Sequence, residues 1–185
     1  ENSLAQEFSE ADIRQPMRPN GVTDPKDADY QQLVSGRFAD FRLEIAGLVN
    51  KPLSLSLADL RSMPQRTQIT RHDCVEGWSC IAKWTGTPVA TVLDAAGVKD
   101  SARYLLIECY DTIEQSLSGS IKYYESIDLA DARHPQTILA WGMNDADLPV
   151  ANGAPLRMRV ERQLGYKMAK YIRKITLVDD FAAIG

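Results

Sequence analysis

No apolar run in this chain is longer than a β-strand. The longest, such as Tyr104-Leu105-Leu106-Ile107, fall far short of the about 20 apolar residues a membrane-spanning helix needs, so no transmembrane anchor is expected. Elsewhere apolar and polar residues alternate. Phe41, Leu43 and Ile45 interleave with Arg42 and Glu44, and Leu53, Leu55 and Leu57 interleave with Ser54 and Ser56, the period of half-buried strands. Gln68–Cys74, Tyr104–Cys109, Thr137–Trp141, Leu156–Val160 and Lys174–Val178 read as further strands. The helices are short. Ser56 and Asp59 form a capping box that opens one through Leu60, stopped by Pro64. Pro88 opens another, with Val89, Val92, Leu93 and Ala96 on one face and Gly97 at its end. Strands outnumbering short helices predict an α+β fold with a mixed sheet, not a doubly wound α/β fold.

The length, 185 residues, suits one domain, and 44% hydrophobic with 25% charged residues is enough for an ordinary core. Residues 1–35 are polar and punctuated by Pro16, Pro19, Asn20, Gly21 and Pro25, which predicts an extended arm with little regular structure. Residues 36–185 form the folded domain. The polar stretch Asp111–Gly119 reads as a loop.

The net charge of −4 argues against a nucleic-acid partner. It is unevenly spread. Residues 150–174 carry Arg157, Arg159, Arg162, Lys167, Lys170, Arg173 and Lys174 against the single acid Glu161. A cationic strip on an acidic protein suits a small anion; the ordinary alternative is a strand with a basic exposed face. Leu156, Met158 and Val160 alternate with Arg157 and Arg159, so the two arginines share the face opposite the core side.

Cys74, Cys80 and Cys109 are odd in number, so at least one is not paired within the chain. The segment from Arg71 to Gly86 gathers His72, Cys74, Trp78, Cys80 and Trp84. His72, Cys74 and Cys80 lack the paired spacing of a structural zinc site. A Cys–His nucleophile pair, a thiolate on a soft metal and a buried thiol in an aromatic cluster all remain open on spacing alone.

The run RHDCVEGWSCIAKWTGTPV resembles the molybdenum-cofactor domain of the sulfite oxidase family, in its bacterial, heme-free members. HPQTILAWGMN (134–144) and NGAPLRMRVERQLGYKMAKYIRKI (152–175) resemble the pterin-binding half of the same domain. The resemblance implies the sulfite-oxidase-type fold over 36–185 and a molybdenum–molybdopterin cofactor, with Cys74 as the protein's metal ligand and Cys80 a packed thiol. It further implies cofactor contacts from Asn20, His72, Cys74, Cys109, Asn152, Arg157, Met168, Ala169 and Lys170, with Arg157 on the phosphate. Arg18, Arg71, His72 and Trp141 become candidates beside the metal. Trp141 stands where sulfite oxidases place a tyrosine, and an indole donates a hydrogen bond but cannot accept or relay a proton as a phenol can.

The activity so implied is oxygen-atom transfer on a small sulfur oxyanion, with electrons passed to a cytochrome c or membrane heme subunit. The alternatives are reduction of sulfoxides such as oxidised methionine, since the Cys74 segment is similar to that of periplasmic methionine sulfoxide reductases, or a non-catalytic cofactor-binding subunit. No heme site is read, because C-x-x-C-H is missing and His72 and His134 are the only histidines. A start at Glu1 suggests a processed form, the stop at Gly185 a monomer without a dimerisation domain, and the family a periplasmic location; all three are expectations.

Overall fold

A computed structural model describes residues 4–13, 25–73, 79–116, 119–161 and 169–180, with only the backbone at 73, 111–116 and 119–123. Four α-helices are described: α1 (Ala28–Ser35), α2 (Leu57–Ser62), α3 (Val89–Ala96) and α4 (Leu129–Ala132). The strands are β1 (Leu43–Gly47), β2 (Leu53–Leu55), β3 (Arg66–Asp73), β4 (Ser79–Pro88), β5 (Tyr104–Ser116), β6 (Gly119–Asp128), β7 (Ile138–Met143), β8 (Ala146–Asp147), β9 (Arg157–Arg159) and β10 (Ile172–Val178). They make two sheets of five. The first runs β2-β1-β10-β5-β6, and the second runs β3-β4-β7-β8 with β9 also paired to β7. Among the described strands only β1 and β10 pair in parallel, so the first sheet is mixed and the fold is α+β.

The helices begin and end where their local chemistry says they should. Ser56 Oγ accepts from Asp59 N and Asp59 Oδ2 from Ser56 N, a reciprocal box that opens α2. Gly97 caps α3 at φ 72°, a left-handed conformation that suits glycine. The apolar face of α3 (Val89, Val92, Leu93, Ala96) joins Leu43 and Ile45 of β1, Leu105 and Ile107 of β5, and Ile175 and Leu177 of β10 in the main core. Leu139 of β7 and Leu156 and Met158 beside and in β9 complete it from the second sheet. A smaller cluster of Ala82, Trp84, Ile138, Ala140, Met143 and Leu148 is built mainly on the other face of that sheet.

Two sequence expectations change. The arm over 1–35 is not uniformly extended: Asp27 caps α1 by accepting from Tyr30 N, and Tyr30 is fully buried with its hydroxyl donating to Ala154 O at 2.6 Å. Residues 4–13 also hold a 3-10 turn at Glu10–Asp12 and lie along the outer edge of β3, with Phe8 N donating to Ile69 O. The stretch Asp111–Gly119 is not a loop, because its first six residues extend β5 and Gly119 opens β6. Ser79–Pro88, not among the strands read from the sequence, is one ten-residue strand, paired with β3 over Ser79–Gly86 and with β7 over Trp84–Pro88.

Candidate cofactor site

Strand alternation decides which side chains meet. Counting through the pairings, His72, Thr70 and Gln68 of β3, Cys80, Ala82, Trp84 and Gly86 of β4, Ala140 and Ile138 of β7, and Arg157 and Arg159 of β9 all share one face of the second sheet. That face is the one opposite Leu139, Leu156 and Met158. The sequence placed the two arginines there correctly but offered a basic exposed strand as the ordinary alternative. Both are fully buried instead, so β9 is covered on both sides. Their guanidinium carbons lie 5.0 Å (Arg157) and 4.4 Å (Arg159) from the centre of the Trp84 ring, which gives two like charges a shared π-face.

Arg157 has no carboxylate beside it among the described contacts. Its Nη1 donates to Asn152 O at 3.0 Å, while Nε and Nη2 find no hydrogen-bond partner among the described residues; the same is true of Asn152 Nδ2. Burial, and then the neighbouring Arg159, lower the Arg157 pKa to about 9, still cationic at neutral pH. The loop carrying Asn152 is fixed from several sides. Its carbonyls accept from Tyr171 Oη (Val150), Lys170 Nζ (Ala151), Arg157 (Asn152), Tyr171 N (Gly153) and Tyr30 Oη (Ala154). Gly153 turns at φ 114°, and a Cβ there would sit 3.0 Å from Lys170 Cβ, so the loop and Lys170 are in close approach. Ala169 is buried, and its carbonyl accepts from Met158 N at 2.8 Å, which ties this segment to β9. Buried donors without acceptors are costly, and here they converge around a cation. The group is chemically complementary to an anion with several acceptor oxygens.

Arg159 differs from Arg157. Its Nη2 pairs with Glu161 Oε1 at 2.5 Å and its Nη1 meets His72 Nδ1 at 2.6 Å. A guanidinium can only donate, so Nδ1 accepts and the ring proton of neutral His72 sits on Nε2. Burial first, and then Arg159, Arg157 and Lys170, push the His72 pKa from 6.5 down to about 2. Between those two values the unfolded chain binds a proton that the folded chain refuses. Stability therefore falls as pH drops below 6.5, by up to about 1.4 kcal/mol per pH unit from this side chain. Denaturant titrations between pH 7 and about 5 are expected to show that slope flattened in His72→Gln; an unchanged slope would contradict the buried neutral imidazole.

The structure brings together His72, Asn152, Arg157, Ala169 and Lys170 of the residues singled out from sequence. Arg71 is exposed at the end of β3, and its carbonyl lies 3.4 Å from Arg159 Nη2. Trp141 does not join them. Alternation from Ala140 puts it on the opposite face, where its Nε1 donates to Thr87 Oγ1 at 3.2 Å and Arg61 stacks on its ring. Trp141 thus lies apart from the Arg157 group, and Cys74, the residue expected to hold the metal, is outside the described residues. Cys109 is fully buried in the main apolar core, in register with Ile172. Neither Cys80 nor Cys109 is in a disulfide. Arg18, Asn20, Cys74 and Met168 lie outside the described residues. Sequence reasoning missed Trp84 and the distinct role of Arg159. Glu161, two residues beyond Arg159 and the single acid among the basic residues of 150–174, was the available signal.

Two sheets, with a buried cationic group where β9 pairs with β7, define a domain suited to bind an anionic group. The family described as oxidoreductase molybdopterin binding domain matches residues 31–183, and this chain belongs to it. Among its relatives, the putative protein-methionine-sulfoxide reductase subunit YedZ1 of Azospira oryzae is 41% identical over 77% of this chain and 51% of its own length. The protein-methionine-sulfoxide reductase catalytic subunit MsrP of Gluconobacter oxydans is 39% identical over 74% of this chain and 46% of its own. The chain thus spans about half the length of these curated relatives. Among solved structures, the sulfane dehydrogenase SoxCD of Paracoccus pantotrophus superposes with a TM-score of 0.67 at 25% identity, covering 76% of this chain and 39% of that one. The molybdopterin that the family binds ends in a phosphate, and the unpaired donors of Arg157 and Asn152 fit such a group.

Proposed function

We propose that this chain is the catalytic domain of a molybdenum–molybdopterin oxidoreductase that reduces a sulfoxide, with oxidised methionine as the substrate class. The observation that carries the cofactor part is Arg157, a fully buried guanidinium with two N–H groups lacking partners among the described residues. Arg157, Arg159, Lys170 and Glu161 leave the group at net +2, His72 being neutral, and a phosphate monoester carries about −1.5 to −2 at pH 7. In this reading Arg157 and Lys170 hold the phosphate, and Asn152 donates its amide to the pterin. His72 stays neutral and offers Nε2–H within the site. Cys74 supplies the thiolate that completes the metal's sulfur ligands. When bound, the molybdenum centre supplies two-electron oxygen-atom transfer at sulfur.

The sulfoxide-reducing direction rests on the relatives named for that activity. It is also consistent with tryptophan at position 141, where sulfite oxidases place a tyrosine, since an indole cannot relay a proton as a phenol can. A sulfoxide is neutral, so turnover is expected to be insensitive to salt, whereas an oxyanion substrate drawn in by cations would lose rate as salt rises. Electrons would come from a cytochrome or membrane heme partner, in a periplasmic setting.

Metal analysis followed by assays with methionine sulfoxide and with sulfite tests the proposal. Molybdenum near one per chain and reduction of the sulfoxide are expected. Sulfite oxidation without sulfoxide reduction would overturn the direction, and metal-loaded protein inert to both would favour a non-catalytic subunit. Cys74→Ser is expected to abolish turnover and sharply lower molybdenum content, while Cys80→Ala keeps both. Equal metal and turnover in the two variants would remove Cys74 from the ligand set.

A further inference from the structure

Arg157 and Arg159 are one strand period apart, equally buried and stacked on the same indole, yet their surroundings divide them. The Arg159 guanidinium faces Glu161, whose side chain is 1% exposed. Glu161 Oε2 also accepts from Gln68 Nε2 at 2.7 Å and from Thr70 Oγ1, both on β3. The carboxylate therefore has three donors from two strands, and Arg159 has its countercharge. Gln68 in turn donates to Gln136 O at 3.0 Å, which anchors the network to the segment leading into β7. The far side of Arg159 holds His72 Nδ1, and Nη2 also leans on Arg71 O at the end of β3. Arg157 has none of this. Only Arg159 Nε remains without a partner among the described residues, against two such groups on Arg157.

We propose that Glu161 is a positioning residue for the cofactor site: held by Gln68 and Thr70, its carboxylate cancels the charge of Arg159, so that Arg159 fixes His72 while Arg157 and Lys170 grip the phosphate. The inference rests on the reading of Arg157 as an anion-binding residue. It adds that the second arginine of the pair is withheld from the anion. Without the carboxylate, two uncompensated guanidiniums would crowd Trp84, and a phosphate would be drawn to both. Glu161 thus trades raw anion affinity for a fixed β3–β9 geometry behind the imidazole.

The test uses the full chain, made both with its cofactor and in cells that cannot supply it, and takes inorganic phosphate as the probe. In cofactor-free protein, Glu161→Gln is expected to bind phosphate at least about tenfold more tightly than the parent while melting at a lower temperature that phosphate restores. The charge-compensated pair Glu161→Gln with Arg159→Gln keeps the buried net charge of the parent. It is expected to recover melting temperature and to bind phosphate within about threefold of the parent. In cofactor-loaded protein the single variant is expected to retain molybdenum at least as well as the parent. Phosphate affinity in Glu161→Gln that is unchanged or weaker would overturn the proposal. So would loss of phosphate binding in the compensated pair, because Arg159 would then itself be a ligand. Should the single variant fail to fold, a compensated pair that folds and binds phosphate like the parent supports the proposal, and one that also fails to fold overturns it. Arg157→Gln separates the two levels. If it still binds phosphate like the parent, the anion-site reading fails; if it loses phosphate while Glu161→Gln changes nothing, only the role of Glu161 fails.

Discussion

Arg157→Met is expected to weaken cofactor retention by roughly 5- to 150-fold, about 1–3 kcal/mol, while leaving the cofactor-free chain no less stable than before. The two effects have opposite origins. With cofactor present, the variant removes charged hydrogen bonds to a phosphate. Without it, the variant removes a buried cation whose Nε and Nη2 have no described partner and whose charge repels Arg159. Methionine is long and flexible enough to keep covering Trp84, so little packing is lost. Molybdenum content after gel filtration reads the first effect, and denaturant unfolding of cofactor-free protein reads the second. A variant that keeps its cofactor and loses stability instead would make Arg157 a structural residue.

Gly86→Ala is expected to destabilise the chain by about 3 kcal/mol or more, and to lower cofactor retention as well. A Cβ at this position would lie 2.2 Å from Leu139 O and 2.7 Å from Ala140 Cα, which are backbone atoms that cannot swing aside. Gly86 pairs with Ala140, and Ala140 pairs with Arg157, so a forced separation of β4 from β7 also moves the strand that presents the arginine. Gly142→Ala is the control. Its added carbon would meet Ala146 O and Thr85 Cβ at 3.4 Å, ordinary contact, and a much smaller loss of stability is expected. Equal melting temperatures for the two variants would mean that the close approach of β4 and β7 relaxes freely.

Much of this was readable from residue order. The box at Ser56 and Asp59, the helix between Pro88 and Gly97, and the alternation through Leu43 and Ile45 each rest on local chemistry that the fold keeps. What escaped depended on partners far away in sequence. Residues 111–116 are polar but for Ile113, so their backbone pairing with β6 leaves little apolar signature. In β4, Ala82, Trp84 and Gly86 do alternate with Lys83 and Thr85, but two different clusters cover the sheet and blur the pattern. The start of α1 was announced by Asp27, whose cap was hidden among turn-forming residues. The run over 152–175 singled out Arg157, Asn152 and Lys170, which the fold brings into one buried group through short local contacts. The division of labour between Arg157 and Arg159 needed β3, roughly ninety residues earlier, to bring Gln68, Thr70 and His72 across.

β10 lies in the middle of the first sheet, with β1 on one side and β5 on the other. Until Ile172–Val178 has been synthesised, that sheet exists only as two unjoined pairs, β2 with β1 and β5 with β6, each offering a bare edge. Lys170 and Ala169 lie immediately ahead of this strand, so the final zippering of β10 and the closing of the cationic group belong to one event. A chain in which β10 has not yet paired would therefore expose those edges and lack a completed cradle for the anion.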